Sequence, residues 1–165
     1  MVYRASIAEM VVPYGSPERS HFRKNVFDSG EIGFGRMANS LTLGCDCLGA
    51  IHYFDAVVPD LFGAPRTIEN AICLHEEDAG MSWKHFDVRS GRTEVRRARK
   101  LVISSISTIG NYEYASYWYL HQDGRIETFH IVTLVDISSP PGALDVIFQL
   151  DAHWSIVPRA LQASI

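Results

Sequence analysis

The stretch from Tyr114 to Val135 constrains this chain most. Tyr114 to Leu120 is aromatic-rich, Asp123-Gly124 is a preferred two-residue turn pair, and Arg125 to Val135 resumes an apolar, β-branched run. Two such runs across such a turn read as a β-hairpin. A lone hairpin is marginal in water, so further strands and a buried face must come from the rest of the chain. Gly, Pro, Asn and Asp recur at short intervals elsewhere, and no segment sustains a helical period. Leu41 to Val58 reads as two strands around a Gly49 turn, Asp60 to Arg66 as a loop, and Thr67 to Leu74 as a short strand. Leu101 to Ile109 reads as a β-branched strand ended by Gly110-Asn111. Thr93 to Leu101 comes nearest to a helical segment, but its cluster of basic residues favours a solvated strand or turn face. From Ser138 onward, a Pro-Pro-Gly break is followed by apolar residues without alternation, which gives no placement in a sheet. The expected fold class is mainly β.

A length of 165 residues corresponds to one domain or a piece of a larger one, and 47% hydrophobic residues suffice for a packed core. A formal charge of −4 argues against nucleic acid as a bulk partner. No apolar run reaches the roughly 18 residues of a membrane span, and Glu9, Pro13 and Glu18 interrupt the place where a signal peptide has its apolar stretch. The chain therefore reads as soluble, without a signal peptide or membrane span, its compartment unknown. Three cysteines, Cys45, Cys47 and Cys73, are too few for a disulfide scaffold, and an odd count leaves at least one thiol free unless it pairs between chains.

Histidines stand at positions 21, 52, 75, 85, 121, 130 and 153, and no two are two, three or four apart, so no local metal-binding pair exists. His75-Glu76-Glu77-Asp78 concentrates potential ligands but reads as an acidic surface turn. There is no Gly-x-Ser-x-Gly elbow, phosphate-binding loop or dinucleotide fingerprint. Cys45 could serve as a nucleophile only with a histidine near it in space.

One motif carries more. Gly110-Asn111-Tyr112-Glu113-Tyr114, after an apolar strand, resembles the cofactor motif of the copper-containing amine oxidases. Met10 to Gly15 (MVVPYG), Phe27 to Glu31 (FDSGE), Ser40 to Gly49 (SLTLGCDCLG), Asn70 to Gly80 (NAICLHEEDAG) and Leu101 to Tyr114 are similar to that family's catalytic domain in the same order. Together they cover about residues 8 to 130. The resemblance implies an incomplete β-sandwich, supersandwich-like, with residues 1–135 a partial catalytic domain and 136–165 an unmatched tail.

It also implies a chemistry. In the family, copper and dioxygen oxidise the tyrosine matching Tyr112 to topaquinone, an electrophilic carbonyl that takes up a primary amine and acidifies its α-hydrogen. Asp28 matches the base that removes that proton; a carboxylate shielded by neighbours such as Phe27 would have its pKa raised toward a useful value. Dioxygen completes the cycle, giving aldehyde, ammonia and hydrogen peroxide. Tyr14 matches the tyrosine that hydrogen-bonds a quinone oxygen, and Asn111 the residue that restrains the cofactor ring. Cys47 and Cys73 match the family disulfide, leaving Cys45 free. The complete enzyme is implied to be a homodimer.

The family holds copper with three histidines, two of them as His-x-His downstream of the cofactor tyrosine. This chain has no His-x-His, so no metal ligand is assigned, and the chain is not expected to process Tyr112 by itself. The rival expectation is a catalytically dead β-sandwich fragment, with an interaction role or none.

Overall fold

In a computed structural model, residues 12–13, 25–26, 32–44, 46–110, 112–136 and 145–156 are described. The chain divides into two units, Met1–Phe34 and Gly35–Ile165. In the first, β1 (Val12–Pro13) pairs antiparallel with β2 (Asn25–Val26). A short 3-10 turn, Phe34–Met37, follows.

The second unit is built on one antiparallel sheet of six strands: β3 (His52–Pro59), β4 (Pro65–Asp87), β5 (Arg92–Ile109), β6 (Tyr112–His121), β7 (Ile126–Asp136) and β8 (Asp145–Ile156). Spatial order follows chain order, so every strand lies beside its predecessor. The fold is mainly β, and a single sheet is one layer of a sandwich.

The hairpin expected from Tyr114 to Val135 is β6 and β7, but its loop differs. His121 N–H donates to Arg125 C=O at 2.9 Å and Gly124 N–H to His121 C=O at 3.0 Å, so three residues, not two, close it. Gly124 at φ 85° takes the left-handed position that this longer loop requires. The two-residue connection lies one hairpin earlier: Ile109 of β5 pairs with Tyr112 of β6, and Gly110, at φ 62°, follows Ile109 in it.

Four expectations are corrected. Among the described residues of Leu41–Val58 there is one strand, not two; before it, Leu43 and Cys47 form a bridge and Asp46 accepts the Thr42 N–H at 2.6 Å. The short strand at Thr67 is the start of a strand of 23 residues that takes in His75–Asp78. That acidic tetrad is therefore no turn. Its charges are matched across the ladder: Glu77 stands opposite Lys100 at 2.9 Å, Asp78 pairs with Arg97 and Glu76 with Arg99. Thr93–Leu101, as a solvated strand, supplies the basic side of this zipper. Finally, the residues after Ser138 include β8, which pairs with β7 along its length.

Beyond Leu74, β3 no longer accompanies β4, and β6 meets β5 only from Lys100 onward. The two long strands thus continue as a two-stranded ribbon. Burial is concentrated where the Leu41–Cys47 turn covers the sheet: Leu41, Cys47, Ala71, Cys73 and Val102 are buried, with Tyr53, Ile51 and Ile106 packed partly against them.

Candidate functional site

Tyr112 is the first residue after the Gly110-Asn111 turn and stands in register between Ile109 of β5 and Leu134 of β7. The residue is 40% exposed, and its ring centre lies 6.2 Å from that of Tyr114. A tight turn fixes the entry of the strand while the phenol stays reachable at the end of the sheet.

Strand alternation puts Glu113 on the opposite face. There Thr108, directly across the ladder, donates its hydroxyl to Glu113 Oε2 at 2.7 Å, and Asn39 Nδ2 donates to Thr108 Oγ1 at 2.8 Å. Asn39 is itself anchored. Past the Cys73–Ser104 pair β4 no longer lines β5, and residues 38–39 take its place: Ala38 bridges Ser107 and Asn39 N–H donates to Ile106 C=O at 2.8 Å. Leu41 N–H then donates to Asn70 C=O at 3.0 Å. Asn70 holds a left-handed φ of 52° at the bulge opposite Asp55, whose carboxylate accepts its N–H at 2.9 Å. A cavity of about 600 Å³ opens beside this network, lined by Asn39, Leu41, Asp46, Ile106, Glu113 and Ala115. Sequence reasoning missed Asn39, Thr108 and Glu113. The available signal was that Thr108 and Glu113 lie symmetrically about Gly110-Asn111.

Cys47 and Cys73 meet in the buried cluster as free thiols, unlike the bonded pair that the resemblance implies. Burial, reinforced by the neighbouring Cys47, pushes the Cys73 thiol up to about 12. Tyr53 is likewise pushed up to about 12, by burial first and then by the adjacent Cys47. Cys73 and Tyr53 are thus held neutral. Cys73 Sγ also lies 3.4 Å from His75 Nδ1, and His75 Nε2 is 2.9 Å from Glu77. Burial works against the charged form of Glu77, but Lys100 and His75 outweigh it and hold the carboxyl below its ordinary range.

Tyr14, Asp28, Asn111 and Cys45 lie outside the described residues. Among the described residues, no group of three or more His, Cys, Asp or Glu side chains gathers as a metal site, so those residues do not fit a copper ion. Among them, too, no helix is long and apolar enough to cross a membrane.

Residues 1–133 match the family described as copper amine oxidase, enzyme domain, and so take in Tyr14, Asp28, Tyr112 and both clustered cysteines. The chain belongs to the copper amine oxidases. It is 58% identical over 144 residues to the primary amine oxidase of Arthrobacter sp. (strain P1), covering 87% of this chain and 22% of that enzyme. Over 127 residues it is 61% identical to the histamine oxidase of Arthrobacter globiformis, covering 77% and 19%. Among solved structures, a copper-containing benzylamine oxidase from Hansenula polymorpha superposes with a TM-score of 0.64 at 41% identity, covering 76% of this chain and 20% of that one. This copper amine oxidase chain therefore spans about a fifth of the length of the curated relatives it matches. The match ends at residue 133, before β8 begins.

Proposed function

We propose that this chain is a segment of the catalytic domain of an enzyme that oxidatively deaminates primary amines to aldehyde, ammonia and hydrogen peroxide. Tyr112 is the precursor of topaquinone, Asp28 the base that takes the substrate proton, Tyr14 a hydrogen-bond donor to the cofactor and Asn111 its restraint. One observation carries the reading: within the family match, Tyr112 follows a two-residue turn with its phenol partly exposed, held by strands on both sides. When formed, the quinone supplies the electrophile. The protein's part is to hold that ring and to offer a carboxylate whose protonation can change during turnover. Names among the relatives span primary amine, methylamine, histamine and diamine oxidases, which supports the amine class without selecting one substrate. The complete protein is proposed to be a homodimer, with the Cys47–Cys73 bond closed.

The second reading, a catalytically silent fragment, is favoured by the lack of any His-x-His in these 165 residues. Aerobic copper loading of the complete enzyme of which this chain is a segment, followed by peptide mass spectrometry and phenylhydrazine labelling, separates the two. Oxidation and labelling at Tyr112, lost in Tyr112→Phe, supports the enzyme; an unmodified Tyr112 in folded, loaded protein leaves only the silent fragment.

A further inference from the structure

We propose that Asn39 and Thr108 are positioning residues for Tyr112, acting through Glu113 on the reverse face of the sheet. This rests on the reading of Tyr112 as a cofactor precursor. A tyrosine that must be modified and then face a substrate needs a fixed backbone, and Tyr112 is the last rung of the β5–β6 ladder before the connecting turn. The tight turn alone fixes the entry to β6 but not the ladder behind it.

The network supplies that restraint, and its direction is determined. A carboxylate only accepts, so the one Thr108 hydroxyl proton goes to Glu113 at 2.7 Å, and the hydroxyl must accept in turn. Asn39 Nδ2, a donor, meets it at 2.8 Å. The hydroxyl links the two, donating to the carboxylate and accepting from the amide. The pair Thr108–Glu113 is the rung immediately behind Ile109–Tyr112, so the hydroxyl-to-carboxylate bond clamps the ladder one residue from the cofactor position. Asn39 brings a third segment to the same rung, and that segment is tied to β5 by the Asn39–Ile106 bond and to β4 by the Leu41–Asn70 bond. The turn carrying Tyr112 is thereby fastened to the body of the sheet from the face opposite the Tyr112 side chain. Glu113 therefore acts on the site through the backbone, while its side chain points away from the ring.

The test uses the full chain labelled with 3-fluorotyrosine, the Tyr112 resonance being assigned with Tyr112→Phe. Thr108→Val keeps the shape and removes both hydrogen bonds. Amide exchange at Tyr112 and Glu113 is expected to speed up by roughly tenfold or more, the equivalent of one hydrogen bond to a charged acceptor, and the Tyr112 fluorine line to shift and broaden. Thr108→Ser is expected to restore both readings, and exchange at the Gln122–Gly124 loop to stay unchanged throughout. Unchanged exchange and an unchanged line in Thr108→Val, or a uniform change across both loops, overturns the inference. Should Thr108→Val not fold, Asn39→Ala gives the same two readings, with a smaller shift expected at Tyr112 and none overturning the proposal. Failure here leaves oxidation of Tyr112 untouched. Failure of that oxidation leaves the dependence of the turn on Thr108 standing.

Discussion

Closing the bond between Cys47 and Cys73 is the perturbation with the largest expected effect on this chain. The two residues are 26 positions apart in sequence and adjacent in the buried cluster. Cross-linking a loop of that length lowers the entropy of the unfolded chain, for a stabilisation of about 3.5 kcal/mol on the chain-entropy estimate. With a urea dependence of about 2 kcal/mol per molar, the unfolding midpoint should rise by roughly 1.5 to 2 M. The bond should form slowly at neutral pH. Burial holds the Cys73 thiol protonated far above neutral pH, so little of the attacking thiolate is present. Oxidation is therefore expected to quicken about tenfold for each unit of pH above neutrality while Cys73 is the attacking thiol. The assay is urea unfolding of reduced and oxidised monomer, with the linkage read by mass spectrometry under non-reducing conditions. A midpoint shift below about 0.5 M, or a full shift that survives Cys73→Ser, refutes the reasoning.

Three further outcomes are expected. Cys73 and Tyr53 have raised pKa values in the fold, so the stability they confer is complete below about pH 9 and is lost as pH climbs toward 12; Cys73→Ser should flatten that alkaline limb in pH-dependent melts. Glu77, Asp78 and Asp87 have lowered pKa values, so their contribution is present above the ordinary carboxylate range and is lost as acid protonates them in the folded state. Glu77→Gln should flatten the acid limb, and an unchanged acid midpoint counts against the Lys100 pairing. Val102, fully buried, should cost about 2 to 3 kcal/mol on truncation to Ala. In the same denaturation assay Val57→Ala, at a position 68% exposed, should stay within about 0.5 kcal/mol. Equal losses would place the core elsewhere.

What the sequence disclosed depended on whether the signal was local. The β6–β7 hairpin and the Leu101–Ile109 strand were legible because aromatic and β-branched runs and turn residues sit side by side. The tetrad His75–Asp78 was not, because four polar residues look like a solvated turn until the basic run Arg96–Lys100 is known to lie opposite. Each charged run explains the other, and 20 or so residues separate them. The strand Asp145–Ile156 escaped for a different reason: with VIF in succession it lacks the alternation that marks a strand with one wet face. At the site, the motif around Tyr112 was readable as a resemblance. The Asn39–Thr108–Glu113 connection was not, since Asn39 lies 69 positions from Thr108 and only the sheet brings them together.

The outermost strand has its own implication. A β-ladder is held by main-chain groups that every residue but proline carries, so a rim position tests a newcomer for extended propensity and little else. Asp145–Ile156, which begins beyond the family match, meets that lenient test. The geometry of such a sheet therefore continues past the end of the family match, and kinship in this architecture is better judged from its inner rungs than from its rim.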